Sequence, residues 1–226
     1  YDLTAGDSNV MIGNEAGANA TTGNQNVIIG LSACGLGVLA NAAGTEGMYN
    51  IVVGPAAGYD LTSGQGNLLI GKSAGAELTS ANYNVAVGHA TLEAATGGTN
   101  VAFGSLAGQK IATGTSNTFI GNAAGQELNG AEGNNTFIGH DAGSNADGAE
   151  NNTFIGAYAG GIGVATGNDN VVVGREAGYD LTGGANNVLV GKSAGANVTT
   201  GQDNIAIGYS ACGTGVLALG DEAPDG

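Results

Sequence analysis

Few residues of this chain could do chemistry, and their spacing argues against it. The two histidines, His89 and His140, each follow a glycine that recurs through the sequence. Lys72, Asn122 and Arg175 stand in the same slot, so it reads as an outward, permissive position rather than a catalytic or metal-binding one. Asp7, Asp169 and Asp203 fall in turns and could hold Ca2+ weakly. They lack the Gly-Gly-x-Gly-x-Asp pattern of calcium-binding β-rolls. Gly35-Leu36-Gly37 and Gly161-Ile162-Gly163 open no helix, so a dinucleotide fingerprint is rejected. No Ser/His/Asp set can be assembled with two histidines. The expectation is a non-enzyme with no catalytic, cofactor-binding or resident metal residues.

The elements that carry these residues form one repeated motif, Asn-φ-φ-φ-Gly-x-x-Ala-Gly, with φ mostly apolar. The asparagines are Asn9, Asn26, Asn50, Asn67, Asn84, Asn100, Asn117, Asn135, Asn152, Asn170, Asn187 and Asn204. Most spacings are 16–18 residues, and one, from Asn26 to Asn50, is 24. Four residues after each Asn stands a glycine: Gly13, Gly30, Gly54, Gly71, Gly88, Gly104, Gly121, Gly139, Gly156, Gly174, Gly191 and Gly208. A period near 17 is too short for ankyrin, TPR or WD40 units. It fits one coil of an all-β, parallel β-solenoid, and the whole chain is expected to form a single domain of 12–13 coils. Runs such as Val27-Ile28-Ile29 predict one short strand per coil. A second is predicted after Ala-Gly, at Leu61-Thr62, Leu78-Thr79, Leu181-Thr182 and Val198-Thr199. Each repeat Gly is read as a corner with positive φ or close backbone approach. The asparagines are read as a side-chain amide ladder.

Composition supports a thin, regular core. Glycine is 45 of 226 residues, proline 2, tryptophan absent, and hydrophobic residues 42%. That apolar content is too high for a disordered chain. Only four residues are basic, Lys72, Lys110, Arg175 and Lys192, and the net charge is −15. Nucleic acid and anionic membrane surfaces are therefore poor partners, since both need clustered Lys and Arg. No apolar run approaches the ~18–20 residues of a membrane helix.

Alternate residues of a strand face opposite ways. The first and third φ residues are assigned to the inside and the middle one to the outside. This predicts an outer apolar stripe of Met11, Ile28, Val52, Leu69, Phe119, Phe137, Phe154, Val172 and Leu189, read as a subunit interface. A stripe of that length would not stay exposed. Closure by rotation would give a homotrimer.

The segments Asn117-Thr118-Phe119-Ile120-Gly121, Asn135-Thr136-Phe137-Ile138-Gly139 and Asn152-Thr153-Phe154-Ile155-Gly156 resemble the YadA-like head repeats of trimeric autotransporter adhesins. They are also similar to repeats of phage tail fibres. The resemblance covers nearly the whole chain. It implies a left-handed parallel β-roll, three chains about one axis, and a place outside the cell or on a virion. The coil here is nearer 17 residues than the roughly 14 of the best-known heads, so longer turns are expected.

Two irregularities complete the reading. The 24-residue spacing marks an inserted loop over 35–49. Residues 1–40 match 179–218 closely, including Cys34 against Cys212, so the chain is expected to be a length of a longer array. At ten motifs apart, the two cysteines would stand ~45–50 Å from each other. A disulfide needs Cα atoms within ~7 Å. They are read as buried thiols, with end-to-end pairing between molecules the other option. The functional expectation is a structural or adhesive segment of an extracellular fibre. It would partner with itself and with a surface receptor. The alternatives are a self-polymerising filament and an ice-binding solenoid. The last wants a flat Thr array, and only Thr118, Thr136 and Thr153 line up.

Overall fold

A computed structural model describes residues 6–37, 39, 47–161 and 165–212. These form a β-solenoid with one three-residue strand per coil: β1 (Val10–Ile12), β2 (Val27–Ile29), β3 (Ile51–Val53), β4 (Leu68–Ile70), β5 (Val85–Val87), β6 (Val101–Phe103), β7 (Thr118–Ile120), β8 (Thr136–Ile138), β9 (Thr153–Ile155), β10 (Val171–Val173), β11 (Val188–Val190) and β12 (Ile205–Ile207). They stack in chain order as one parallel twelve-stranded sheet. The register is constant, so that Phe119 pairs with Phe137 and Phe137 with Phe154. No helix occurs among the described residues.

Only one of the two expected strands per coil forms. After Leu61, the N–H groups of Thr62, Ser63 and Gly64 all converge on the Thr79 carbonyl, at 2.9, 3.2 and 3.3 Å. A ladder needs donors spaced along an extended chain. Three successive donors on one acceptor instead wrap the backbone into a turn, and the Thr62 hydroxyl joins them at 2.9 Å. Thr-Ser-Gly is turn chemistry, and it overrides the single apolar residue before it.

The asparagines tie each coil to itself and to the next. Asn50 donates its Nδ2 to the Gly64 carbonyl at 2.9 Å, closing its own coil. Its Oδ1 accepts the Asn67 backbone N–H at 3.0 Å and the Asn67 Nδ2 at 3.1 Å. The same backbone-to-Oδ1 bond links every successive pair from Asn9 to Asn204, at 2.9–3.0 Å. Asn26 through Asn187 are buried, and no buried side-chain nitrogen or oxygen among the described residues lacks a partner. Such full satisfaction is what lets a polar column sit inside a solenoid.

The repeat Gly has a specific reason. Gly139 holds φ +138°, and a Cβ there would lie 2.5 Å from the Gly156 carbonyl oxygen of the next coil. Any side chain would push the coils apart.

The core is three side chains wide: the middle strand residue, the Ala of Ala-Gly, and a residue four positions after that Ala. Phe137, Ala142 and Ala146 are one such set, Leu69, Ala74 and Leu78 another, all fully buried. Sizes compensate along the rod. Gly143 stands eight residues after Asn135, and a Cβ there would come 2.6 Å from the Phe137 ring. In the β5 coil the middle residue shrinks to Ala86, and the equivalent position is Leu92, also fully buried. In the β6 coil both positions are small, Ala102 and Gly108, and Leu92 and Phe119 of the flanking coils fill the space, within 2.8 Å of a Cβ placed on Gly108.

Candidate functional site, an outward apolar sheet face

The middle strand residues point inward. Ile28, Val52, Leu69, Phe119, Phe137, Phe154, Val172 and Leu189 are all at 0% exposure, and Met11 is half-buried against the same core. These are the residues expected to form a subunit interface, and that assignment is corrected: they are already buried within one chain. The aromatic stack is interior too. Its rings are 5.7 Å apart between Phe119 and Phe137, and 4.8 Å between Phe137 and Phe154. The physical reason lies in strand parity. The Asn that opens each strand turns its amide inward to close the coil. The residue two positions later shares its face. That residue is the middle one.

An apolar outer face exists nonetheless, built from the first and third residues. Its first column runs Val10, Val27, Ile51, Leu68, Val85, Val101, Thr118, Thr136, Thr153, Val171, Val188 and Ile205. The third-residue column includes Ile12, Ile70, Phe103, Ile120 and Ile155, each at 36–57% exposure. No residue of either column is charged. Eleven coil spacings of ~4.8 Å and a strand ~10 Å long give a flat patch on the order of 500 Å2. That is at the upper end of what ordinary monomers leave open to water.

The two long borders of this face differ. One carries Lys72, His89, His140, Arg175 and Lys192, all exposed, each following a repeat Gly. The other carries Tyr49, Tyr83, Asp169 and Asp203, the residues just before the repeat Asn. The histidines thus lie three coils apart on a rim. His140 Nδ1 is 3.1 Å from Asp141 Oδ2, and its ring meets Tyr158 edge-on at 5.2 Å. Asp169 and Asp203 are two coils apart, and Asp7 lies at the far end of the rod. No group of three or more His, Cys, Asp or Glu side chains converges among the described residues.

The cysteines occupy equivalent corners but different environments. Cys34 is fully buried, and burial pushes its thiol from 9.0 to about 12. Cys212 is exposed, which corrects its reading as a buried thiol. Residues 38 and 40–46 of the inserted loop lie outside the described residues.

Comparison with known family models, curated proteins and solved structures finds no match. No helix among the described residues is long and apolar enough to cross a membrane.

Proposed function

We propose that this chain is a non-enzymatic structural and adhesive segment of an extracellular fibre, in which three copies assemble through their flat sheet faces. The observation that carries this reading is the pair of outward columns, uncharged from Val10 to Ile207 and continuous through twelve strands. Covering ~500 Å2 at ~25 cal/mol per Å2 contributes about 12 kcal/mol gross per chain, before the entropy of association is subtracted. The rest of the surface has opposite character. Asp60, Glu77, Glu127 and Asp180 recur at the corner ten residues after the Asn, where Lys110 also stands and pairs with Glu127. Acidic outer corners and an apolar inner face would let three rods close about one axis and stop there. The resemblance to adhesin heads and tail-fibre repeats supports the place and the purpose.

Electron microscopy of the native assembly tests the reading. Discrete rods with a three-fold cross-section are expected. Indefinite filaments would favour end-to-end polymerisation instead, and isolated rods one chain thick would overturn the assembly.

A further inference from the structure

The coil that starts at Asn84 is one residue shorter than its neighbours, with 16 residues to Asn100. The omission falls in the turn before Asn100. There the coils on either side supply Ser80 and Thr113, and this coil supplies nothing. The result is a shallow slot in the edge of the rod, about 490 Å3 and largely open to solvent. Its floor is Gly98, where a Cβ would lie 2.8 Å from the Asn82 carbonyl, so the floor is held bare. Asn82 and Thr115 stand at its two ends, two coil spacings or ~10 Å apart. Tyr83 borders it, 58% exposed, its ring lying across Gly66, which has no side chain to obstruct it.

We infer that this slot binds a neutral saccharide. On a chain of net charge −15, none of its lining residues is charged. Charge-free lining excludes phosphate, sulfate and metal as favoured ligands and matches a polyol. The polar groups are short, numerous and only partly engaged. Asn82 uses its Oδ1 on the Gln65 N–H at 2.8 Å, leaving the Nδ2 to donate outward. Thr96 donates its hydroxyl to the Ala112 carbonyl at 3.0 Å, so its oxygen remains an acceptor, whereas Thr99 donates to the Gly98 carbonyl at 2.6 Å and shares a 3.2 Å hydrogen bond with the Ser116 hydroxyl. Sugar hydroxyls both donate and accept, and they need such a mixture. The tyrosine offers an apolar face for the C–H side of a pyranose and a polar tip for its hydroxyls.

This inference rests on the attachment reading of the fibre and names its ligand class. The test is retention of the intact chain on an array of neutral gluco-, galacto- and manno-oligosaccharides, followed by titration of any hit. Tyr83→Asn is the informative variant, because the chain itself places Asn134, Asn151 and Asn186 at this corner with the same positive φ. It should weaken binding about tenfold or more. Insertion of one threonine after Thr96 restores the 17-residue spacing and should abolish binding. Tyr49→Asn, on the same rim without a slot, should leave it unchanged. No retained neutral saccharide, or retention indifferent to both slot variants, overturns the inference. Sedimentation of the same samples separates the two claims: trimers that bind nothing sink the slot alone, and binding by monomers sinks the assembly alone.

Discussion

Replacing Phe137 by alanine separates the two possible faces of the strand, and its rescue is encoded elsewhere in the same chain. Phe137 is fully buried between Phe119 and Phe154. Phe137→Ala should cost ~3–5 kcal/mol, the range for a phenylalanine deleted from a core that relaxes only partly. Gly143→Leu alone should also destabilise, since its Cβ would sit 2.6 Å from the same ring. The double variant should be more stable than Phe137→Ala by about 1–2 kcal/mol. It reproduces the pairing of Ala86 with Leu92, which holds φ +49° in the same corner. The recovery stays partial because leucine in the left-handed region costs ~1–2 kcal/mol. Urea unfolding followed by circular dichroism reads all four members of the cycle, the local nature of repeat unfolding being allowed for. Two additive losses, with no change of sign for the leucine between backgrounds, would refute the compensating core.

Three further outcomes follow from the same packing. Asn135→Ala strips the Asn152 N–H of its 2.9 Å acceptor and the Ala149 carbonyl of its 2.8 Å donor. At ~1–3 kcal/mol for each buried orphan, a loss of about 2–6 kcal/mol is expected by denaturant titration. Gly139→Ala should reduce stability by more than the ~1–3 kcal/mol of its φ alone, because the Gly156 carbonyl also blocks the methyl group. At pH 8 a thiol reagent should modify Cys212 and spare Cys34 in the folded chain, as peptide mapping would show. The Cys34 thiol is raised by burial to about 12, so the folded state resists its ionisation. Stability is then fully present below pH 9 and falls by about 1.4 kcal/mol per unit as pH rises from 9 toward 12. Cys34→Ala should remove that slope.

Much of this structure is legible in the residues. Twelve asparagines at a near-constant period, each with a glycine four later, specify a solenoid and its corners. What parity alone leaves open is which side of a three-residue strand is inside. Val-Ile-Ile is apolar on both faces, so hydrophobicity cannot choose between Ile28 and its neighbours. Two signals could have decided it. An inward Asn ladder puts the residue two later inside as well. At one coil the middle residue also shrinks to Ala86 while its corner partner grows to Leu92, an exchange that only interior neighbours need make. The first and third columns show no such exchange; they are uniformly Val, Ile, Leu, Thr or Phe, as a regular outer sheet prefers. The missing second strand is harder to foresee, because Leu-Thr reads as extended until its three N–H groups are seen to share one carbonyl. The slot was visible only as a spacing of 16, without any hint that the absent residue belonged to the outer wall.

Sedimentation equilibrium on the chain and on an Ile120→Lys, Ile138→Lys double variant tests the central claim most directly. The wild type should show about three times the 21.7 kDa chain mass. The variant, with two charges on an outward column and the interior untouched, should run as a monomer with an unchanged circular dichroism spectrum. A monomeric wild type, or a trimer indifferent to both lysines, would contradict assembly through the sheet face.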